Sequence, residues 1–174
     1  MGIVNTKATA VTHADADSRT SLTPAHIARG NPNKHRGVVA VAAADDDTSV
    51  FRIGRVRSKD LVSSIKIAHT ALTSGTDYDI GLHSVAEAGG AVVDKDFFAD
   101  GLDLSSARTV LTEVRYSSIT ASAANGISSG EKRVWEQLGL TSDPGLEYDL
   151  TITANTIGSA AGTILVEYET VSDV

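Results

Sequence analysis

The chain has 174 residues, with 15 Lys and Arg against 22 Asp and Glu, no Cys, and a formal net charge of -7. One ordinary domain fits that length, and the 41% apolar content with 15 Gly suffices for a buried core. Without Cys there is neither a disulfide framework nor a thiolate metal site, and an acidic chain suits a phosphate backbone poorly.

No run nears the roughly 18 consecutive apolar residues of a membrane-spanning helix, and the first residues lack the apolar core of a signal peptide. The expectation is a soluble protein made in the cytoplasm, with no nucleic-acid partner, no membrane and no cofactor.

Charge divides unevenly along the chain. Residues 1–37 hold Lys7, Arg19, Arg29, Lys34 and Arg36 against Asp15 and Asp17, a balance of +3 that leaves -10 for residues 38–174. The same segment has three of the five His, two of the three Pro, a turn-like Gly30-Asn31-Pro32-Asn33, and no sustained period of 2 or 3.6. It reads as an extended basic arm, residues 1–37, ahead of a domain at 38–174. Two readings of the arm stand: a frayed terminus, or a segment that orders on an acidic or neighbouring subunit. Under the second, its five cations are the candidate partner contacts.

From Val38 onward short apolar runs alternate with turn residues. Val38–Val41 is followed by the acidic turn Asp45-Asp46-Asp47. Residues 50–57 put Phe51 and Ile53 on one face, and residues 61–69 set Ile65 and Ile67 against Ser64 and Lys66. After a turn at 73–76, Tyr78, Ile80 and Leu82 share a face. Gly89-Gly90 breaks the chain, Ala91-Val92-Val93 follows, Asp96–Asp100 reads as one helical turn, and residues 109–116 are strand-like.

Residues 131–140 make the best helix, with Val134, Trp135 and Leu138 at helical spacing and Gly139 as its cap. Asp143-Pro144-Gly145 is a turn that opens residues 147–153, and with 163–169 these read as an antiparallel hairpin. Some eight short strands with turns near every ten residues, and no βα rhythm, predict an all-β antiparallel sandwich, jelly-roll-like, with one short helix.

The search for chemistry yields little. Gly126-Ile127-Ser128-Ser129-Gly130 matches the G-x-S-x-G elbow string, but that motif needs a later His and none follows His83, so Ser128 reads as a loop serine. Asp94, Asp96, Asp100 and Asp103 could offer oxygen ligands, yet Phe98 stands where an EF-hand needs Asp or Asn; these acids, like Asp45–Asp47, read as solvated turns. His69 and His83 lack metal-ligand spacing and read as surface or strand-end residues. The stripe Arg52, Arg55, Arg57, Lys59 has no interleaved aromatics and reads as a salt-bridged contact or a solvated edge. The expectation is no enzyme, no catalytic residue and no metal.

The strings Phe51–Val56, Ser64–Ile67, Gly75–Leu82, Gly90–Asp94, Asp100–Ser105, Trp135–Leu140 and Glu147–Thr156 resemble small virion structural proteins of tailed bacteriophages, in particular the capsid decoration, or cement, proteins. The similarity spans about residues 50–168 and leaves the first 37 residues uncovered. The resemblance implies a β-sandwich, often a homotrimer, that binds outside the major capsid protein shell and reinforces it; the location implied is the capsid exterior of a virion. The competing class is a carbohydrate- or receptor-binding sandwich of a phage head fibre or tail, which exposed aromatics would favour.

Overall fold

Alternation of apolar and polar residues makes strands wherever one face can be buried, and the computed structural model has eight among the described residues. It describes residues 31–43, 45, 47–72, 77–116, 127–156 and 161–172. The strands are β1 (Asn31–Val41), β2 (Val50–Arg57), β3 (Leu61–His69), β4 (Asp77–Ser84), β5 (Val92–Leu102), β6 (Arg108–Glu113), β7 (Glu147–Thr156) and β8 (Gly162–Ser172). One sheet runs β1-β8-β3-β6 and the other β2-β7-β4-β5, every pairing antiparallel. This is the strand order of an eight-stranded jelly roll. The expected all-β sandwich is present, and one short α-helix, α1 (Val134–Gln137), accompanies it.

The core lies between the sheets. Tyr78, Ile80 and Leu82 of β4 and Leu150 and Ile152 of β7 meet Ile65 and Ile67 of β3 and Ile164 and Val166 of β8, all at most 1% exposed. Burying such side chains is worth about 1.5–3 kcal/mol each, which is the main force holding the layers together.

Four local expectations need correction. Residues 147–169 are not a hairpin: β7 bonds β2 and β4, whereas β8 bonds β1 and β3. The two strands carry the same alternation because they face one core from opposite sheets. Asp96–Asp100 is strand, not helix. Three residues of β4, Ile80–Leu82, face six of β5, Asp94–Ala99. The resulting bulge lets the adjacent Phe97 and Phe98 both be buried, which hides the period of two.

The helix expected over 131–140 shrinks to four residues. Arg133 is extended, and the Val134 and Trp135 N–H groups donate to Asp60 and Ser58 carbonyls. Gly139 does close it, at φ +72°. Finally, the boundary drawn at 37/38 falls inside β1, so residues 31–37 belong to the sheet. Their inward positions are Asn33, His35 and Gly37, which carry no apolar signal.

Candidate functional site

Two of the five cations expected to contact a partner lie on the described part of β1. Register sets Lys34 opposite Glu169 and Arg36 opposite Glu167, and opposed residues share a face. The Lys34 amine is 3.2 Å from both Glu167 and Glu169, and the Arg36 guanidinium is 2.6 Å from Glu167. Hydrogen bonds from Arg36 and then Lys34 hold the Glu167 carboxyl below its ordinary range. These cations therefore fasten β1 to its own sheet. Lys7, Arg19 and Arg29 lie outside the described residues.

On the inner side of β1, the His35 ring stacks on Tyr168 at 4.8 Å, and the Tyr168 hydroxyl donates to the Arg55 carbonyl at 3.1 Å. Gly37 and Gly54 permit this close approach of the layers. A Cβ on Gly37 would sit 2.4 Å from the Ile53 oxygen, and one on Gly54 would sit 2.2 Å from the Tyr168 hydroxyl. Beyond these contacts the sheets part into a polar cleft of ≈ 320 Å³, with Asn33, Arg57, Asp60 and Thr170 among its walls.

The three arginines of the basic stripe are paired with carboxylates within the chain. Arg52 pairs with Asp149, Arg55 lies 3.1 Å from Glu87 and 3.4 Å from Asp149, and Arg57 lies 3.5 Å from Glu147.

His69 and His83 stand at the ends of β3 and β4, as expected of strand-end residues, but they are buried rather than on the surface, at 5% and 2% exposed. Nδ1 of His83 shares a hydrogen bond with the Thr151 hydroxyl at 2.8 Å, and Nδ1 of His69 lies 2.9 Å from the Thr70 carbonyl. Burial, then the Arg52 charge, lowers the His83 pKa, so the ring is neutral. Ser128 is exposed in a 3₁₀ turn at Ile127–Ser129. The three described histidines are bonded to threonine or backbone oxygens, an arrangement that does not activate a nucleophile.

The expected acidic cluster separates. Asp103 accepts the Ser105 N–H at 2.8 Å, and Asp45 accepts the Ala42 N–H at 2.6 Å. Asp94 is pushed up to about 6 by burial and by a hydrogen bond with Asp96. Asp100 instead joins Asp77 and Asp79, with one carboxylate oxygen of each lying within 4.8 Å of the others. Sequence reasoning missed this trio. The available signal was that Asp77 and Asp79, two residues apart, share the polar face of a strand; the third carboxylate arrives from another strand.

Side chains that could bind by contact are concentrated elsewhere. In strands, the large apolar residues left exposed are Val38 on β1, Val50 on β2, Val92 and Val93 on β5 and Val110 on β6. These are the four edge strands. None of the eight aromatic residues is exposed.

No protein-family model and no curated protein matches the chain. Among solved structures, a chain of the cyanophage Pam1 capsid asymmetric unit is similar, with a TM-score of 0.49 and 14% identity, over 91% of this chain and 99% of that one.

Proposed function

We propose that the chain is a structural virion protein that binds the outer surface of a phage capsid and stabilises the lattice of the major capsid protein as a decoration protein. The observation that carries this reading is the set of exposed valines on all four edge strands. Edge strands present unpaired backbone donors and acceptors, and a protein selected to stay apart blunts them with charge. Here the charged side chains of β1 and β2 are taken up by partners within the chain, and valine is left at the rim. Such a molecule is suited to lateral contact with a repeating surface, where many weak contacts add.

The sequence resemblance over residues 50–168 supports a capsid as that surface. Residues 1–30, with Lys7, Arg19 and Arg29, reach the major capsid protein or a neighbouring copy in this reading. A glycan-binding role is disfavoured because none of the eight Phe, Tyr and Trp side chains is fully exposed for stacking.

The test is co-sedimentation of the purified protein with capsids that lack it. Stoichiometric binding is expected, with Val110→Lys and Val38→Lys lowering occupancy at least tenfold. Each variant should keep the stability of the isolated protein within about 0.5 kcal/mol, as surface changes do. No binding to capsids, or occupancy unchanged in both variants, overturns the reading.

A further inference from the structure

A lysine, an asparagine and a buried carboxylate meet on the outer face of the β2-β7-β4-β5 sheet, where the capsid-binding reading makes no use of them. Lys95 comes from β5, Asn155 from β7 and Asp79 from β4, the strand between those two. Gly81 permits the meeting. Having no Cβ, it lets the backbone of Asp94 and Lys95 pass closely over β4, so the Lys95 side chain starts above that strand and reaches β7.

The contacts set the reacting atoms in order. Lys95 Nζ lies 2.8 Å from Asn155 Oδ1, and the amide carbon, one C=O bond further on, is within about 4 Å of the amine. The Asn155 amide nitrogen donates to Asp79 Oδ2 and to Asp77 Oδ1 at 3.2 Å. That same Oδ2 of Asp79 is 3.4 Å from Lys95 Nζ. One carboxylate oxygen therefore touches both the amine and the amide nitrogen. Asp79 is 1% exposed, and its Oδ1 accepts the Gly101 N–H at 3.1 Å, which fixes the carboxylate in place. A nucleophile and its target held side by side in this way react as an intramolecular pair, with their entropy of approach already spent in folding.

We propose that Lys95 and Asn155 join through an isopeptide bond, with Asp79 as the catalytic carboxylate. Asp79 takes a proton from the Lys95 ammonium, and the lone pair so freed attacks Cγ of Asn155. The Nζ–Cγ bond forms as the carbonyl π pair moves onto Oδ1. Asp79 then hands its proton to Nδ2, the Cγ–Nδ2 bond breaks as the pair on Oδ1 returns, and the attacking nitrogen passes its surplus proton to Asp79. Ammonia departs with that proton as ammonium, so Asp79 ends ionised as it began. One amide is exchanged for another; nothing is oxidised or reduced, and no outside reagent takes part. The bond ties the edge strand β5 to β7 across β4. In a chain with no Cys, it restricts the unfolded state as a disulfide would.

The mass of the full chain, measured after denaturation, tests this. The parent should be lighter by one ammonia than its own sequence requires, and proteolysis should yield the peptides carrying Lys95 and Asn155 as one branched species. Lys95→Met should have its full sequence mass. The Lys95 side chain is half exposed, so this variant keeps the fold, and the linked parent should melt about 10 °C above it. Asp79→Asn should slow linkage roughly a hundredfold or more. A parent at full sequence mass overturns the proposal and leaves the three side chains as a hydrogen-bonded network. So does an ammonia loss that persists in Lys95→Met, the mark of a cyclic imide formed by Asn155 alone, and so does linkage at the parental rate in Asp79→Asn. Capsid occupancy plays no part in these measurements, so the two proposals fail separately.

Discussion

Asp94 keeps its proton to about pH 6 because burial and the neighbouring Asp96 disfavour a second negative charge. An ordinary Asp ionises near 3.9, so between these values the folded state binds more protons than the unfolded chain. Stability from this group is therefore complete below pH 4 and is lost as pH rises through 6. Asp94→Asn should remove that loss. Urea denaturation should find the variant about 1 kcal/mol more stable than the parent at pH 8, after discounting for partial exposure, and indistinguishable from it near pH 4.

Individual residues were unevenly legible in the sequence. Ile65 and Ile67 declared their burial by alternation. His83 did not, because what buries it is the fold of β5 and the Arg52–Asp149 pair over the same face, neither of them local in sequence. Asp94 and Asp96 were visible as acids but not as a pair that shares a proton.

At the scale of elements, the bounds of β2 and β3 could be read to the residue, since each alternates over part of its length and has a turn at its end. β1 was half visible because its first inward positions are Asn33, His35 and Gly37, held by Tyr168, Thr170 and the closeness of Ile53 rather than by apolar contact. β5 was misread because its bulge breaks the period. That bulge carries a steric requirement. The backbone of Asp94 and Lys95 passes over Gly81 so closely that an added Cβ would lie 2.2 Å from three of its atoms. Since backbone cannot step aside, Gly81→Ala should part β5 from β4 and cost roughly 1–3 kcal/mol or more, the range for overpacking. Denaturant midpoint and amide exchange along β5 would register it, and an unchanged midpoint would refute the crossing.

For the molecule as a whole, sandwich and class were legible, since many short alternating strands leave few other architectures. Which strand joins which sheet was not, because pairing partners lie far apart in sequence and alternation marks only the inward face. The acidic trio was obscured for the same reason: Asp77 and Asp79 come from β4 and Asp100 from β5. Assembly is also decided at this scale. If the edge valines make the lateral contacts proposed here, light scattering should give a mass that rises with concentration from one chain toward three. Val110→Lys should hold it at one chain, and a parent monomeric at every concentration would place any trimer on the capsid alone.

The sheet orders also fix a timetable for synthesis. β8 is the central neighbour of β1 and β3, and β7 is the central neighbour of β2 and β4, yet these are the last two strands to leave the ribosome. Asn31 must wait for Ser172, its register partner. Until then β1 and β2 have no strand to bond, and their valine-bearing edges are open. Closure is consequently a late, long-range event of the kind that makes β-sandwiches slow folders, in milliseconds to seconds. A nascent chain therefore cannot present a finished lateral surface to its siblings before β8 has emerged.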